Sequence, residues 1–225
     1  MPALARATAP ELLDGEHLDP DELAVNLREM AMLNRLPGGI GQSVEAVLQL
    51  MDGQTEGPVL DVGTGSADFV RRLRRARHVR ALALDLRPEV LEVARRNLRA
   101  NNGVTFLQAD ARRLPLEAAS VDVAHASLLL HHLAPDDAVR ALREMRRVAR
   151  LGVVVNDLRR GWLAFALTAA PVLAYARGSY TRHDGLLSAR RAYTLPELDE
   201  IAAQAGLRVA WRSSTWWPRV TTIYR

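Results

Sequence analysis

Two residue types are missing from this sequence, and each absence excludes several kinds of chemistry. The 225 residues include no lysine and no cysteine, so all 30 residues of the lysine and arginine class are arginine. Without lysine the chain has no Schiff-base nucleophile and no phosphate loop of the GxxxxGK[ST] type. Without cysteine it has no thiol nucleophile, thiolate zinc site, iron–sulfur cluster or disulfide.

Long apolar runs and a large excess of one charge are also missing. The longest apolar stretch, residues 162–176, is interrupted by Thr168 and Pro171, and it is shorter than the roughly 20 residues that cross a bilayer. The N-terminus carries acidic residues where a secretory signal would be apolar. The net charge of +4 gives little support to a nucleic-acid partner. We therefore expect a cytoplasmic protein with no membrane span and no nucleic-acid partner, and its oligomeric state stays open.

Hydrophobic patterning predicts an α/β fold. Strand-like runs alternate with amphipathic helices through the middle of the chain, an order typical of a parallel sheet covered on both faces. Two more strand-like runs at the C-terminus predict an antiparallel pair at one edge, and Pro20 begins an N-terminal helical extension. The predicted middle strands cover residues 57–62, 80–85, 104–108, 120–130 and 151–157.

The stretch DVGTGSAD, residues 61–68, lies between the first of these strands and a helix. Gly63 and Gly65 allow a tight turn and a close approach of the backbone to a ligand. The dinucleotide fingerprint would require a third glycine where Asp68 stands and an apolar residue where Asp61 stands. The motif therefore disfavours a nicotinamide cofactor and favours a ligand that is cationic or rich in hydrogen-bond donors.

Two more carboxylates follow the next two strands. Asp85 lies 20 residues after Gly65, where an acid can accept hydrogen bonds from both hydroxyls of a ribose. Asp110 follows the third strand within QADARRLP and can face an adenine amino group. Because ligands bind at the carboxyl ends of the strands in open α/β sheets, this set predicts a nucleoside site.

This set of residues resembles the class I S-adenosylmethionine-dependent methyltransferases, most clearly over residues 57–157. Within that class, LNR at 33–35, LLLHHLAP at 128–135, VVVNDLRRG at 153–161 and TRHDG at 181–185 resemble bacterial ubiquinone/menaquinone-type and phenolic-polyketide methyltransferases. The resemblance implies a Rossmann-like, doubly wound, mainly parallel seven-stranded sheet and S-adenosylmethionine as cofactor, with S-adenosylhomocysteine as product and no metal. The family often has a third glycine where this chain has Ala67. The cofactor-binding residues it implies are Asp61, Gly63, Thr64, Gly65, Asp85, Leu86, Asp110, Ala111 and Ser127.

The N-terminal helix adds two further candidates for the cofactor site. Asn34 and Arg35 can reach the carboxylate of the methionine part of the cofactor, Arg35 as a bidentate partner. The competing interpretation is that Arg35 is a surface arginine at a helix end.

A single domain over residues 1–225 is expected, in four consecutive parts. These parts are an N-terminal helical extension, a cofactor-binding core, a substrate lid, and a C-terminal helix with a strand pair. The parts span residues 1–54, 55–157, 158–192 and 193–225, in that order.

Two local features are also predicted. Ser43 is expected to cap a second helix, and TRHDG, residues 181–185, is expected to lie in a loop that Gly185 makes flexible.

Three histidines are candidates for the base that would take a proton from a phenolic acceptor. His183 is favoured, because Asp184 can orient its ring and it lies in the predicted lid. His131 and His132 compete, because they follow the fourth strand at the mouth of the site. His125, in the middle of that strand, is interpreted as a core histidine. The candidate acceptor-binding residues are Arg159, Arg160 and Trp162.

The favoured function is methyl transfer from S-adenosylmethionine to a small, apolar, phenolic, quinol or polyketide-like acceptor. Oxygen is preferred to carbon as the atom that receives the methyl group. Two alternatives stay open: a nicotinamide-dependent oxidoreductase, and a nucleoside-binding module or another reaction on the same fold. The sequence leaves the acceptor and the position of methylation undetermined.

Overall fold

A computed structural model describes residues 4–15, 18–52, 57–98, 103–213 and 217–225. Within these ranges an α/β fold alternates strands and helices. The strands are β1 (Val59–Val62), β2 (Ala81–Asp85), β3 (Val104–Gln108), β4 (Val121–Ser127), β5 (Ala149–Leu158), β6 (Val209–Arg212) and β7 (Arg219–Tyr224). The helices are α1 (Pro20–Leu33), α2 (Ile40–Met51), α3 (Asp68–Ala76), α4 (Pro88–Asn97), α5 (Pro135–Val148), α6 (Trp162–Tyr175), α7 (Ser179–Arg191) and α8 (Leu195–Gln204).

The seven strands form one sheet in the order β3-β2-β1-β4-β5-β7-β6. Strands β1 to β5 run parallel to one another, whereas β7 runs antiparallel to both β5 and β6. This confirms the predicted sheet, its antiparallel C-terminal pair and the N-terminal helices. The strand order reverses between β1 and β4, which is where open α/β sheets form a ligand crevice.

Each face of the sheet is covered by its own apolar cluster. On one face α5 and α8 contribute Leu142 and Ile201 to a cluster that contains Leu60 of β1. On the other face α2 and α3 pack Val47 and Leu73 against the sheet. Burial on both faces explains why most residues of the central strands are apolar. No helix of the described part of the chain is long and apolar enough to cross a membrane.

The fourth strand is shorter than predicted. It ends at Ser127, and Leu128 takes a left-handed conformation with φ of 54°. A short 3-10 helix, Leu130–His132, follows. The prediction of a strand over 120–130 is therefore wrong beyond Ser127. The turn places His131 and His132 after the end of the strand.

The helix cap predicted at Ser43 is also wrong. Helix α2 begins at Ile40, and Ser43 is buried inside it. The backbone N–H of Ile40 donates to the carbonyl of Asn34 at 3.0 Å, which folds the preceding turn tightly. A Cβ at Gly39 would lie 2.2 Å from that carbonyl oxygen, so the turn requires glycine and the helix starts directly after it.

Residues 158–192 contain the two helices α6 and α7, and TRHDG lies within α7. The prediction of a loop there is wrong. A Cβ at Gly185 would lie 3.0 Å from Cγ2 of Val172, so this glycine allows α6 and α7 to pack closely and does not act as a hinge. The predicted boundary between residues 54 and 55 lies outside the described residues, and the four-part division stays a prediction.

Candidate active site

A cavity of about 500 Å³ opens beside the glycine loop, at the carboxyl ends of β1 and β4. Helices α1, α6 and α7 line it, together with the start of β7. Most of its lining is apolar, including Leu27, Met30, Leu167 and Val172. An apolar cavity with a few fixed polar groups is the usual form of a small-molecule site.

The glycine loop is shaped for a ligand that approaches its backbone. Gly63 and Gly65 both have left-handed conformations, with φ of 69° and 53°. A Cβ at Gly63 would lie 3.1 Å from Leu129, whereas a Cβ at Gly65 would meet nothing within 4 Å. The loop therefore leaves an open cradle at Gly65. Thr64 donates its hydroxyl to Asp61 at 2.7 Å and ties the loop to the end of β1.

A buried histidine, His125, contacts the carboxylate of Asp61. Nδ1 of His125 lies 2.7 Å from Oδ1 of Asp61, and both side chains are buried. The ring of His125 stacks on Phe69 with 3.6 Å between centroids. His125 is therefore a core residue, as interpreted from the sequence, and it orients a carboxylate that lines the cavity.

The second carboxylate is joined directly to the glycine loop. Asp85 accepts hydrogen bonds from the backbone N–H of Gly65 at 3.2 Å and of Arg87 at 3.1 Å. Burial raises the pKa of Asp85, against the lowering effect of these two bonds. Gly65 and Asp85, which the sequence predicted to lie close together, thus meet at the end of β2. Leu86, the next residue, is exposed.

Asp110 lies at the end of β3 but already has a cationic partner. The guanidinium of Arg112 binds its carboxylate, with NH2 at 2.6 Å from Oδ2, and lowers its pKa. Arg112 also bridges to Asp137 at 2.9 Å. Asp110 does not line the cavity. Ala111 packs against the apolar cluster on the sheet face that α5 and α8 cover. Their roles toward adenine stay predictions.

The residues predicted to meet the methionine carboxylate are only partly brought together. Asn34 and Ser127 line the cavity, whereas Arg35 is exposed and lies outside its lining. The structure therefore does not bring Arg35 to the cavity, and its role stays a prediction. In its place Arg219 donates to both Oδ1 of Asn34 and Oγ of Ser127. No motif or spacing in the sequence pointed to Arg219.

His131 forms a buried pair with an aspartate. Its Nδ1 lies 2.6 Å from Oδ1 of Asp157, and both residues are buried. Asp157 also accepts from the backbone N–H groups of Leu130 at 2.8 Å and Leu158 at 2.7 Å. Burial alone would raise the pKa of Asp157, but the charge and hydrogen bond of His131 outweigh it, and the pKa lies below its usual value. His131 lines the cavity with its ring oriented by this pair.

An N-terminal strap, residues 4–15, adds two acids that the sequence interpretation missed. Nδ1 of His132 lies 3.1 Å from Oδ1 of Asp14 and 3.6 Å from Oε2 of Glu11. Glu11 is buried, accepts from the hydroxyl of Ser188 at 2.9 Å, and has a pKa that burial raises. The strap brings Glu11 into the cavity lining and Asp14 to His132, through contacts that span 118 or more residues of sequence.

Ligand atoms of Glu11, His131 and His132 lie within 4.8 Å of one another and could hold a metal ion. Each of the three also has another partner in the chain. Asp157 binds His131, Asp14 binds His132, and Nε of Arg191 lies 3.8 Å from Glu11. A guanidinium beside the carboxylate disfavours a second cation and favours an arrangement that holds or moves a proton.

His183 does not reach the cavity. Its Nδ1 lies 2.8 Å from Oδ1 of Asp184, as predicted, but its side chain is 53% exposed and is not part of the cavity lining. The carboxylate of Asp184 instead accepts from the backbone of the strap, at Leu12 and Leu13. The structure therefore does not bring His183 to the cavity, and its role as base stays a prediction.

The three predicted acceptor-binding residues also lie outside the cavity lining. Nε of Arg159 donates to the carbonyl of Trp217 at 2.8 Å. Arg160 binds Glu197 and two backbone carbonyls, and so holds the strap and the chain after α7 in place. Trp162 is 52% exposed. The predicted contacts of these residues with an acceptor are therefore not supported.

Comparison with known proteins agrees with this fold. Residues 59–152 match the family described as a methyltransferase domain. Malonyl-[acyl-carrier protein] O-methyltransferase of Pectobacterium atrosepticum is 35% identical over 144 residues, which cover 64% of this chain and 51% of the relative. Demethylmenaquinone methyltransferase of Chlorobaculum tepidum is 26% identical over 102 residues, covering 45% of this chain and 40% of the relative. A solved SAM-dependent methyltransferase from Aquifex aeolicus has a TM-score of 0.63 at 18% identity, covering 92% of this chain and 98% of its own.

This chain therefore contains a region that matches a methyltransferase domain, and its fold is similar to that of the class of S-adenosylmethionine-dependent methyltransferases. It spans about half the length, or less, of the curated relatives it matches. The residues present fit the cofactor of that class. The cradle at Gly65 is open, and the carboxylates of Asp61 and Asp85 each accept a hydrogen bond from the glycine loop.

Gly65→Ala is expected to weaken S-adenosylhomocysteine binding at least about tenfold, because its Cβ would occupy the open cradle. The folded protein should lose only about 1–2 kcal/mol, the strain of alanine in a left-handed conformation. Gly206→Ala is the matched control, because Gly206 has φ of 79° outside the cavity lining. Calorimetric titration should show the loss in affinity for Gly65→Ala alone. Equal affinities of the two variants would mean that the cofactor does not use this cradle.

Proposed function

We propose that this chain transfers the methyl group of S-adenosylmethionine to an oxygen of a small, apolar phenol or quinol. One observation carries the proposal: the glycine loop and the apolar residues line the same cavity. The glycine loop opens into an apolar cavity that is also lined by His131, whose ring is paired with the buried Asp157. The cavity thus combines a nucleoside cradle, room for an apolar ring and a group that can accept a proton.

When bound, S-adenosylmethionine supplies an electrophilic methyl group. The chain's own contribution begins with binding. Asp61, Thr64 and Gly65 form the cradle for the methionine part, and Asp85 accepts from the ribose hydroxyls. Helices α6 and α7 cover the acceptor side, where Leu167 and Val172 line the cavity. Exclusion of water and fixed orientation are worth up to roughly 7–11 kcal/mol in such a displacement.

The second contribution is removal of the acceptor's proton. A free phenol with pKa about 10 is mostly protonated at neutral pH and needs a base. His131 can serve, because Asp157 accepts from its Nδ1 and leaves Nε2 as the proton acceptor. Asp157 also stabilises the imidazolium that forms. His132 is the neighbouring candidate, with Asp14 and Glu11 as partners.

The names of two relatives support this choice. A malonyl-[acyl-carrier protein] O-methyltransferase supports an oxygen acceptor, and a demethylmenaquinone methyltransferase supports a ring substrate. Neither determines the acceptor of this chain. The apolar wall favours an aromatic or polyketide-like ring over a sugar. Since a polar acceptor would lose hydrogen bonds to water there, it would bind weakly.

The test is incubation of the purified protein with methyl-labelled S-adenosylmethionine and a panel of phenols, quinols and carboxylic acids. Mass spectrometry should show label on a ring oxygen of at least one phenol or quinol. Label on ring carbon would overturn the choice of oxygen. Label only on the acids would overturn the phenolic acceptor. Binding of the cofactor with no transfer to any acceptor would favour another use of the fold.

A further inference from the structure

Arg219 is a buried cation whose side-chain partners are all neutral. The residue is only 8% exposed and lines the cavity. Nε donates to Oδ1 of Asn156 at 2.9 Å, NH2 donates to Oγ of Ser127 at 2.9 Å, and NH1 donates to Oδ1 of Asn34. In the described part of the chain no carboxylate forms an ion pair with it.

The surrounding residues hold this guanidinium firmly. The amide of Asn156 donates to the carbonyl of Gly38 at 2.8 Å and to Oγ1 of Thr221 at 2.7 Å, which leaves its oxygen for Arg219. The acid that acts on Arg219 through space is Asp157, whose carboxylate is already paired with His131. A guanidinium has five N–H donors, and three are used here, so two remain for another acceptor.

A buried charge without a counter-ion is costly, and proteins normally pair it. The arrangement at Arg219 therefore lacks an anion on its cavity side. We propose that Arg219 binds a carboxylate that enters the cavity as part of a ligand. The planar fork of arginine suits a carboxylate, and hydrogen bonds between charged groups are about twice as strong as neutral ones.

Two ligands of the site could supply this carboxylate: the methionine part of the cofactor, or an acceptor that carries an acid group. The inference rests on the proposed function in that both ligands belong to it. Burial also lowers the pKa of Arg219 to about 10, so it remains charged at neutral pH. Because the guanidinium contacts Asn34 and Ser127, it ties together helix α1 and strand β4 at one wall of the cavity.

The experiment compares two pairs of probes that differ only by a carboxylate. The first pair is S-adenosylhomocysteine and its decarboxylated analogue. The second pair is 4-hydroxybenzoate and its methyl ester, each added to protein saturated with the decarboxylated analogue, so that the amino-acid carboxylate is absent. Calorimetric titrations are made on the wild type, on Arg219→Met, and on the control Arg28→Met, an exposed arginine of α1.

Arg219→Met should lower affinity for the charged member of at least one pair by about tenfold or more and leave its neutral partner unchanged. A loss confined to S-adenosylhomocysteine assigns the carboxylate to the cofactor, and a loss confined to 4-hydroxybenzoate assigns it to the acceptor. Unchanged affinity for all four probes, or equal losses within both pairs, would overturn the proposal.

Two further measurements cover failure of the variant to fold and failure of the proposed function. If Arg219→Met does not fold, the same titrations are made on Arg219→Lys and the wild type. A wild type that binds neither charged probe more tightly than its neutral partner overturns the proposal by itself. If the wild type binds neither adenosyl probe, the cofactor assignment fails. The 4-hydroxybenzoate pair is then measured on the free protein, where a loss in Arg219→Met still supports the carboxylate site and no loss overturns it.

Discussion

His131→Ala is expected to lower kcat by about 10²–10⁴-fold with an active phenolic acceptor, while the protein still binds S-adenosylhomocysteine. The reason is that the acceptor would lose the group that takes its proton. The buried carboxylate of Asp157 holds Nδ1 of His131, so the nitrogen that can act as base is Nε2, which lies 3.9 Å from Oε1 of Glu11. Activity should recover partly at high pH, where the phenol ionises without help.

Initial rates from pH 6 to 10, with cofactor binding measured on the same samples, provide the test. His131→Asn is the conservative variant, because it can still donate to Asp157 but accepts no proton near neutral pH. His78→Ala is the control, because His78 is exposed outside the cavity lining. If His132→Ala shows the pH rescue and His131→Ala does not, the base is the neighbouring histidine. Rescue by pH in His183→Ala would restore the base favoured from the sequence.

Asp157→Ala is expected to destabilise the fold by about 3–5 kcal/mol, because it leaves a buried histidine and backbone donors without their acceptor. For a protein of this size each kcal/mol corresponds to roughly 2–4 °C in Tm. Urea unfolding at pH 7, followed by circular dichroism, measures the loss. Asp157→Asn should cost less, since its one amide oxygen can still accept from either Leu130 or Leu158, which bind different oxygens of the carboxylate.

The pH dependence of this loss has a definite sign. The pKa of Asp157 is lowered in the folded state, so its contribution to stability is present above its ordinary value of 3.8 and is lost as pH falls. The difference between wild type and Asp157→Ala should therefore shrink below about pH 4. Asp199→Asn is the control, since its pair with Arg212 lies at the surface and should be worth at most about 1 kcal/mol. An equal loss in both variants would contradict a special role for the buried pair.

The cofactor half of the site could be predicted because its determinants are local. A glycine turn between a strand and a helix sets its own backbone conformation, as Gly63 and Gly65 show. Parallel strands end at one edge of the sheet, so a carboxylate after β2 must come near a loop after β1. The hydrogen bond from Gly65 to Asp85 is the direct result.

The other polar contacts around the cavity could not be predicted, because the residues that form them are distant in sequence. Arg219 meets Asn34 across 185 residues, and Asp14 meets Arg191 across 177. No spacing or periodicity encodes such contacts. The placement of the histidines could not be predicted for the same reason: the Asp184 beside His183 was visible in the sequence, whereas the pairing of His131 with Asp157 depends on how two strands end.

The sequence by itself determined the sheet, the glycine loop and the class of cofactor, because alternating apolar patterns and strand-end motifs act over a few residues. Only the tertiary structure decided which polar groups share the cavity. Packing of α7 turned His183 outward, the strap brought Glu11 inward, and burial left the guanidinium of Arg219 without a carboxylate partner in the described chain. Burial and charge pairing depend on every element that packs around a group, so they are decided when the chain is folded.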